Sequence, residues 1–233
     1  MTAAIETQGI AEAESITRDF PNEGHVVHAL RGISITVRPG ELVILRGRSG
    51  SGKTTLLNIL TGLDNPTTGR VRIVGQDVAP LSETARALLR RQYVGMMFQN
   101  AHLIPLLTAQ ENVEVPLRLS HVKPTSLRSE RARRALDLVG LIPRAHHRGM
   151  ELSGGEQQRV AVARAIVSSP RFVVADEPTG NLDSQTARDI AALLRNLAHQ
   201  EQIGFLVATH DATVVSAADR VLQIQDGLLI EGA

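Results

Sequence analysis

One run of eight residues, Gly47-Arg48-Ser49-Gly50-Ser51-Gly52-Lys53-Thr54, constrains this chain more than any other. It fits the pattern G-x-x-x-x-G-K-[ST], follows the short apolar strand Glu41 to Arg46 and precedes the helix-like stretch Thr54 to Leu63. Strand, Gly-rich turn and helix together are the context this pattern requires. The glycines let successive backbone N–H groups converge on phosphate oxygens, and the helix N-terminus adds partial positive charge. Lys53 would reach the β- and γ-phosphates of a nucleotide, and the Thr54 hydroxyl would ligate Mg²⁺. A ligand-free Gly/Ser-rich loop is the plain alternative, and the strand–helix placement argues against it. The expected nucleotide contacts are Gly47, Arg48, Ser49, Gly50, Ser51, Gly52, Lys53, Thr54 and Thr55.

The rest of the composition narrows the classes. The chain has 233 residues, 42% hydrophobic and 21% charged, enough to bury a core as an ordinary globular protein. A formal net charge of +1 gives no general attraction to nucleic acid or anionic lipid. The absence of cysteine removes disulfides, thiolate zinc sites and thiol nucleophiles together. No apolar run approaches the roughly 18–20 residues that span a bilayer. Met1 to Gly9 carries Glu6 and lacks a basic region followed by an apolar one, so no secretory signal is expected and a cytoplasmic protein is. His25, His28 and the pair His146-His147 lack a supporting carboxylate pattern and read as surface histidines, so no transition metal is expected. Arg128, Arg131, Arg133 and Arg134 read as a solvated helix face beside Glu130 and Asp137, and nucleic acid is not an expected partner.

Along the chain, β-prone runs at Ser15–Thr17, Val26–Leu30 and Ile33–Val37, with the turn Pro21-Asn22-Glu23-Gly24, predict an antiparallel region. The stretch from about Leu81 to Arg148 reads as helical, over Thr84–Arg91, Thr108–Leu119 with Pro116 interrupting it, and Leu127–Val139. The last third alternates again: strand Arg171–Ala175, helix Ser184–Ala198, strand Gly204–Ala208, helix Ala212–Ala218 and a closing hairpin Arg220–Ile230. The expectation is a single α/β domain over residues 1–233 with a mostly parallel sheet, an N-terminal antiparallel region and a helical subdomain. Its parts are expected at about 10–80, 81–168 and 169–233.

Two further constellations carry chemistry. Phe172-Val173-Val174-Ala175 delivers Asp176-Glu177 to the carboxyl end of a strand, where open α/β sheets place ligands. Adjacent strand residues point different ways, which suits Asp176 to hold Mg²⁺ and Glu177 to polarise water as general base. A solvated acidic loop is the alternative, disfavoured beside a phosphate loop. Leu152-Ser153-Gly154-Gly155-Glu156-Gln157-Gln158-Arg159 opens a helix, with Ser153 and Glu156 forming a capping box. The capping box does not explain paired glycines, which cost helix stability unless the backbone approaches something closely. A second phosphate contact by Ser153 and the Gly154 and Gly155 amides is the sharper reading.

With that run, the phosphate loop and Asp176-Glu177 in order, the chain resembles the ABC ATPases over nearly its whole length. Within them it is similar to the macrolide-exporter, lipoprotein-release and cell-division group, through Thr55-Leu56-Leu57-Asn58-Ile59-Leu60 and Glu111-Asn112-Val113-Glu114-Val115-Pro116. The resemblance implies that Ser153, Gly154, Gly155, Glu156 and Gln157 act in trans on a nucleotide held by a second copy. It also implies that Gln99 touches Mg²⁺ and senses a membrane partner, that Asp183 crosses the dimer interface, and that His210 holds the γ-phosphate. Taken singly, these are a loop polar group, a helix cap and a surface histidine. Phe20 falls where relatives stack an aromatic ring on adenine, with a core phenylalanine as the alternative. Phe20 stands for a commoner tyrosine and Thr54 for a commoner serine, each keeping its essential atoms. Arg46 and Arg48 flank the first loop glycine where small or apolar residues are usual.

The implied protein is an ATPase using ATP and Mg²⁺, a homodimer in its ATP state, peripheral on the inner face of the cell membrane through a separately encoded permease or transducer. Leu103-Ile104-Pro105-Leu106-Leu107, close to Gln99, is expected to contribute to the partner surface. The alternative function is a mechanical signalling ATPase that drives a membrane partner without transport.

Overall fold

The computed structural model describes residues 9–22 and 25–231. Met1 to Gln8, and Glu23 and Gly24 of the expected turn, lie outside the described residues. The three short β-prone runs merge into two long strands, β1 (Ala11–Asn22) and β2 (His25–Val37), paired antiparallel. Along β2 the buried residues Leu30, Ile33, Ile35 and Val37 alternate with exposed or half-buried ones except at Gly32. Gly32, at φ 86°, is the extra residue between the Ile16↔Ile33 and Thr17↔Arg31 pairs, so the bulge restores the apolar face.

The chain then runs through β3 (Leu42–Arg46) into α1 (Lys53–Leu60), the predicted strand and helix. Next come β4 (Thr68–Ile73) and β5 (Gln76–Asp77), which sequence reading does not anticipate. They complete a four-stranded sheet of order β2-β1-β4-β5. Helix α2 (Glu83–Tyr93) leads to β6 (Val94–Met97), so the stretch from Leu81 to Arg148 is not wholly helical. The helices α3 (Ala109–Leu119), α4 (Thr125–Leu138) and α5 (Gly154–Ile166) pack together beyond it. Pro116 does not interrupt α3, which continues through it: this late in the helix it forfeits only the bond to the Asn112 carbonyl.

The final third supplies β7 (Phe172–Asp176), α6 (Ser184–Glu201), β8 (Gly204–Ala208), α7 (Ala212–Val215), β9 (Arg220–Gln225) and β10 (Leu228–Glu231). Sheet order is β10-β9-β3-β8-β7-β6, with every neighbouring pair parallel except the closing β9–β10 hairpin. Its central strands are apolar throughout because both faces are covered. Ile44, Val173, Ala175, Phe205 and Val207 pack toward α3 to α6. Leu45, Phe172, Val174, Leu206 and Ala208 pack against α1 and the antiparallel sheet. The fold is the expected α/β architecture, and it brings the ends of β3, β7 and β8 to one edge. Among the described residues, no helix is long and apolar enough to cross a membrane.

Candidate nucleotide site

The loop from Gly47 to Gly52 is held tightly at its two ends, where Gly47 and Gly52 leave no space for a side chain. A Cβ on Gly47 would lie 2.5 Å from both Ser51 Oγ and the Ile224 carbonyl. Gly52 caps α1 at φ 107°, where a Cβ would lie 2.6 Å from the Ala29 carbonyl. Lys53 is buried beneath the loop, and its Nζ donates to the carbonyls of Gly47 at 2.7 Å and Arg48 at 3.2 Å. The β9–β10 turn fastens the loop from outside: Gly227 N donates to Ser51 O, and Arg31 N donates to Gly227 O.

Across the strand ends, Thr54 Oγ1 donates to Asp176 Oδ2 at 2.9 Å, joining positions 122 residues apart. Two hard oxygen donors on adjacent rigid elements suit Mg²⁺. One residue later the chain turns sharply, with Glu177 at φ 48° and its N–H donating to the Ala208 carbonyl. A left-handed conformation at a non-glycine residue is strained, and here it swings the carboxylate away from the direction taken by Asp176. Glu177 Oε1 lies 2.9 Å from His210 Nδ1. An ionised carboxylate only accepts hydrogen bonds, so the imidazole carries its proton on Nδ1. The second oxygen, Oε2, is buried without a protein partner among the described residues.

These groups share one open cleft of about 1250 Å³. It joins Gly47, Arg48, Ser49, Gly50, Gly52, Lys53, Thr54 and Thr55 to Gln99, Asp176, Glu177 and His210, all expected from sequence. Ser51 is buried behind the loop and lines a smaller pocket with Gln223 and Asp226. Arg48 lines both spaces, while Arg46 is exposed opposite Gln223 on β9; nothing in the structure explains why either is arginine. Gln99 packs against Gly180, whose Cβ would lie 3.0 Å from Gln99 Nε2. Phe20 does not line the cleft. The Arg18 guanidinium lies 4.4 Å over its ring and is itself paired in bidentate fashion with Asp64.

Sequence reading missed the β2 wall of the cleft, Val27, His28, Ala29 and Arg31, and also Phe98 and His102. Asp226-Gly227 was legible as a hairpin turn, but nothing in its sequence signalled a place beside the phosphate loop. Phe98 and His102 pack edge to face, centroids 5.9 Å apart, and line both this cleft and a second, more apolar groove of about 620 Å³. Arg164 of α5 holds that loop by donating to the carbonyls of Ala101 and His102, and burial pushes its pKa below the usual arginine value. Of the apolar run nearby, Ile104 and Leu106 are exposed, whereas Leu103 packs into the core.

Ser153 to Gln157 lie outside the cleft. Ser153 Oγ accepts from Glu156 N, and Glu156 accepts from Ser153 N at 2.9 Å. Those bonds, with help from Arg144, hold the Glu156 carboxyl below the usual glutamate range despite partial burial. The paired glycines divide by role. A Cβ on Gly155 would lie 2.6 Å from Thr186 Cγ2, so α5 meets the start of α6 there, whereas Gly154 is exposed and has room. Gln157 Nε2 donates to the carbonyls of Gly149 and Leu152. Asp183 caps α6, accepting from the amides of Gln185 and Thr186 and from Thr186 Oγ1. These bonds, the Thr186 hydroxyl foremost, lower its pKa.

Comparison with known proteins places these features in context. A family profile described as ABC transporter matches residues 30–180. The chain is 42% identical to the lipoprotein-releasing system ATP-binding protein LolD of Pseudomonas syringae pv. tomato, over 97% of this chain and 100% of that one. It is 46% identical over 217 residues to the macrolide export ATP-binding/permease protein MacB of Brucella melitensis, covering 93% of this chain but spanning only 33% of that longer protein. Among solved structures, it superposes with a TM-score of 0.83 at 36% identity on a dimeric post-hydrolysis state of the ATP-binding cassette MJ0796 bound to ADP and Pi, covering 96% of this chain and 100% of that one.

Proposed function

The chain belongs to the ABC transporter family, whose cassettes bind ATP with Mg²⁺ and hydrolyse it, and from that premise we propose that it is the nucleotide-binding subunit powering a separate membrane permease of export or lipoprotein-extrusion type. The reading rests chiefly on the cleft, in which Lys53, the Thr54–Asp176 pair and the Glu177–His210 pair face one space. Gly47 to Thr55 would cradle the phosphates, and Thr54, Asp176 and Gln99 would hold the metal. Mg²⁺, when bound, neutralises phosphate charge and helps align the β- and γ-phosphates.

Glu177 then accepts a proton from the attacking water as the water oxygen bonds to the γ-phosphorus and the bond to the β-phosphate oxygen breaks. His210 holds the Glu177 carboxylate through Nδ1 and faces the space that the γ-phosphate would occupy. Ser153 and the Gly154 and Gly155 amides, at a helix N-terminus outside their own chain's cleft, would complete the site of a second copy in a two-fold dimer, with Asp183 near the junction. The groove beside Phe98, with the exposed part of residues 99–119, is the proposed docking face for the membrane partner, and this places the chain peripherally at the membrane.

The experiment is solution mass with Glu177→Gln, which removes the base but keeps the pocket. MgATP should yield dimers, ADP should weaken them, and Ser153→Arg in the same background should abolish them. Dimers that persist with Ser153→Arg reject the composite site. Turnover in Glu177→Gln should fall by about 10²–10⁴-fold with ATP binding retained.

A further inference from the structure

The start of α5 is already engaged by a carboxylate of its own chain. Ser153 N and Ser153 Oγ both donate to Glu156 Oε2, each at 2.9 Å. A hydroxyl carries one proton, so Ser153 can offer it to that carboxylate or to a phosphate, and not to both. An ionised carboxylate in the first turn also repels any phosphate brought to the same N-terminus. Glu156 therefore holds the donors that the γ-phosphate of a second copy would use. Its other oxygen is held by Arg144, which closes the 3₁₀ turn Ile142–Arg144 and donates from Nε to Oε1 at 2.9 Å. Arg144 Nη1 lies 3.2 Å from His147 Nε2, while Nη2 has no partner among the described residues. Nε and Nη2 are the edge of a guanidinium that grips a carboxylate with two parallel bonds, as Arg18 grips Asp64 in this molecule. Arg144 holds Glu156 with half of that fork, and its side chain is half exposed, with room to turn.

We propose that Arg144 is a positioning residue for the composite site: when the γ-phosphate of a second copy takes the Ser153 donors, Glu156 Oε2 turns onto Arg144 Nη2 and completes the fork. This rests on the composite site proposed above and adds what must move before that site can form. The exchange keeps every group partnered. Ser153 N and Oγ trade a carboxylate oxygen for phosphate oxygens, and the displaced oxygen gains a guanidinium N–H. Without Arg144, the freed carboxylate stays beside the phosphate and opposes it. ADP brings no γ-phosphate, so the bonds from Ser153 to Glu156 stay in place. The plain alternative is an ordinary capping box whose ion pair only steadies the helix, in which case Arg144 affects melting and not the response to ATP.

The test follows dimer formation by solution mass against MgATP concentration, with every variant made in the full chain carrying Glu177→Gln. Glu156→Gln leaves a neutral competitor whose hydrogen bonds are weaker than charge-assisted ones, so half-maximal dimer should need about three- to tenfold less MgATP. Arg144→Ala should need at least about threefold more, and Arg144→Lys, which keeps the charge but not the fork, should recover only part of that loss. The double variant is decisive. If Arg144 acts through Glu156, adding Arg144→Ala to Glu156→Gln should change the requirement by less than about twofold. An unchanged or raised requirement in Glu156→Gln overturns the proposal. So does an Arg144→Ala penalty that persists undiminished in the double variant, which makes Arg144 a direct phosphate contact. An Arg144→Ala chain that melts lower without nucleotide yet dimerises at the parent's MgATP concentration has lost only helix stability, and that result overturns the positioning role. Failure of the composite site itself reads differently, as dimers that persist with Ser153→Arg whatever stands at residues 144 and 156.

Discussion

Glu177 is held in a strained left-handed turn, bonded on one side to His210 and unpartnered on the other, which is the posture of a group whose free oxygen has work to do. If His210 positions that carboxylate and contacts phosphate, His210→Ala should lower kcat by about 10²–10⁴-fold while the KM for ATP moves far less. Steady-state kinetics separate the two, and a KM effect alone would make His210 a binding residue only. The loop and the acidic pair were legible because each is written in consecutive residues. The pairing of Thr54 with Asp176 and of Glu177 with His210 was not, since it depends on which strands become neighbours in the parallel sheet. Phe20 shows the converse: its place in the sequence suggested a base platform, yet the structure covers its ring with Arg18 and leaves it off the cleft wall.

The starts of α3 and α5 are built around carboxylates. Thr108 with Glu111 and Ser153 with Glu156 form reciprocal capping boxes, and in each the backbone N–H of the cap is the largest influence lowering the glutamate pKa below 4.5. A carboxyl whose folded pKa is depressed adds stability above its unfolded pKa and loses it as pH falls through the folded value. Denaturant midpoints should therefore drop as pH falls below about 4.5, and Glu111→Gln with Glu156→Gln should flatten the profile in that window. The junction of α5 and α6 offers a second test. Thr186 cannot swing aside from a new Cβ at residue 155, because its hydroxyl is bonded to Asp183. Gly155→Ala gains up to about 1 kcal/mol of helix propensity but forces an overpacked contact costing about 1–3 kcal/mol. The balance is destabilising, and a melting temperature unchanged or raised would refute the close packing. The Ser153–Glu156 capping box was readable from spacing alone; the need for the second glycine was not, since Thr186 lies far along the chain. Strands β4, β5 and β6 escaped for a related reason. β5 and β6 are short, β4 opens on the exposed Thr68, Gly69 and Arg70, and Val94–Met97 is apolar on both faces where α5 crosses it at Gly95, so it carries no alternation to read.

As a whole, the chain sets its phosphate loop and the Glu177 carboxylate on one edge and its Ser153–Gly155 amides outside that edge, halves that the proposed two-fold pair would join. Antiparallel hairpin, parallel sheet and helical subdomain were all legible in outline, because apolar periodicity reports which faces are buried. The positions of cleft and groove relative to one another were not, because they arise where the loop after β6 folds back under Arg164. Phe98 and His102 stand in the walls of both spaces. That shared wall imposes a thermodynamic symmetry on the protein. If nucleotide changes the groove's affinity for its occupant by some factor, the occupant must change nucleotide affinity by the same factor, since both equilibria are legs of one closed cycle. A subunit that works as proposed would read its partner as surely as it drives it, and an empty groove would itself be information delivered to the ATP site.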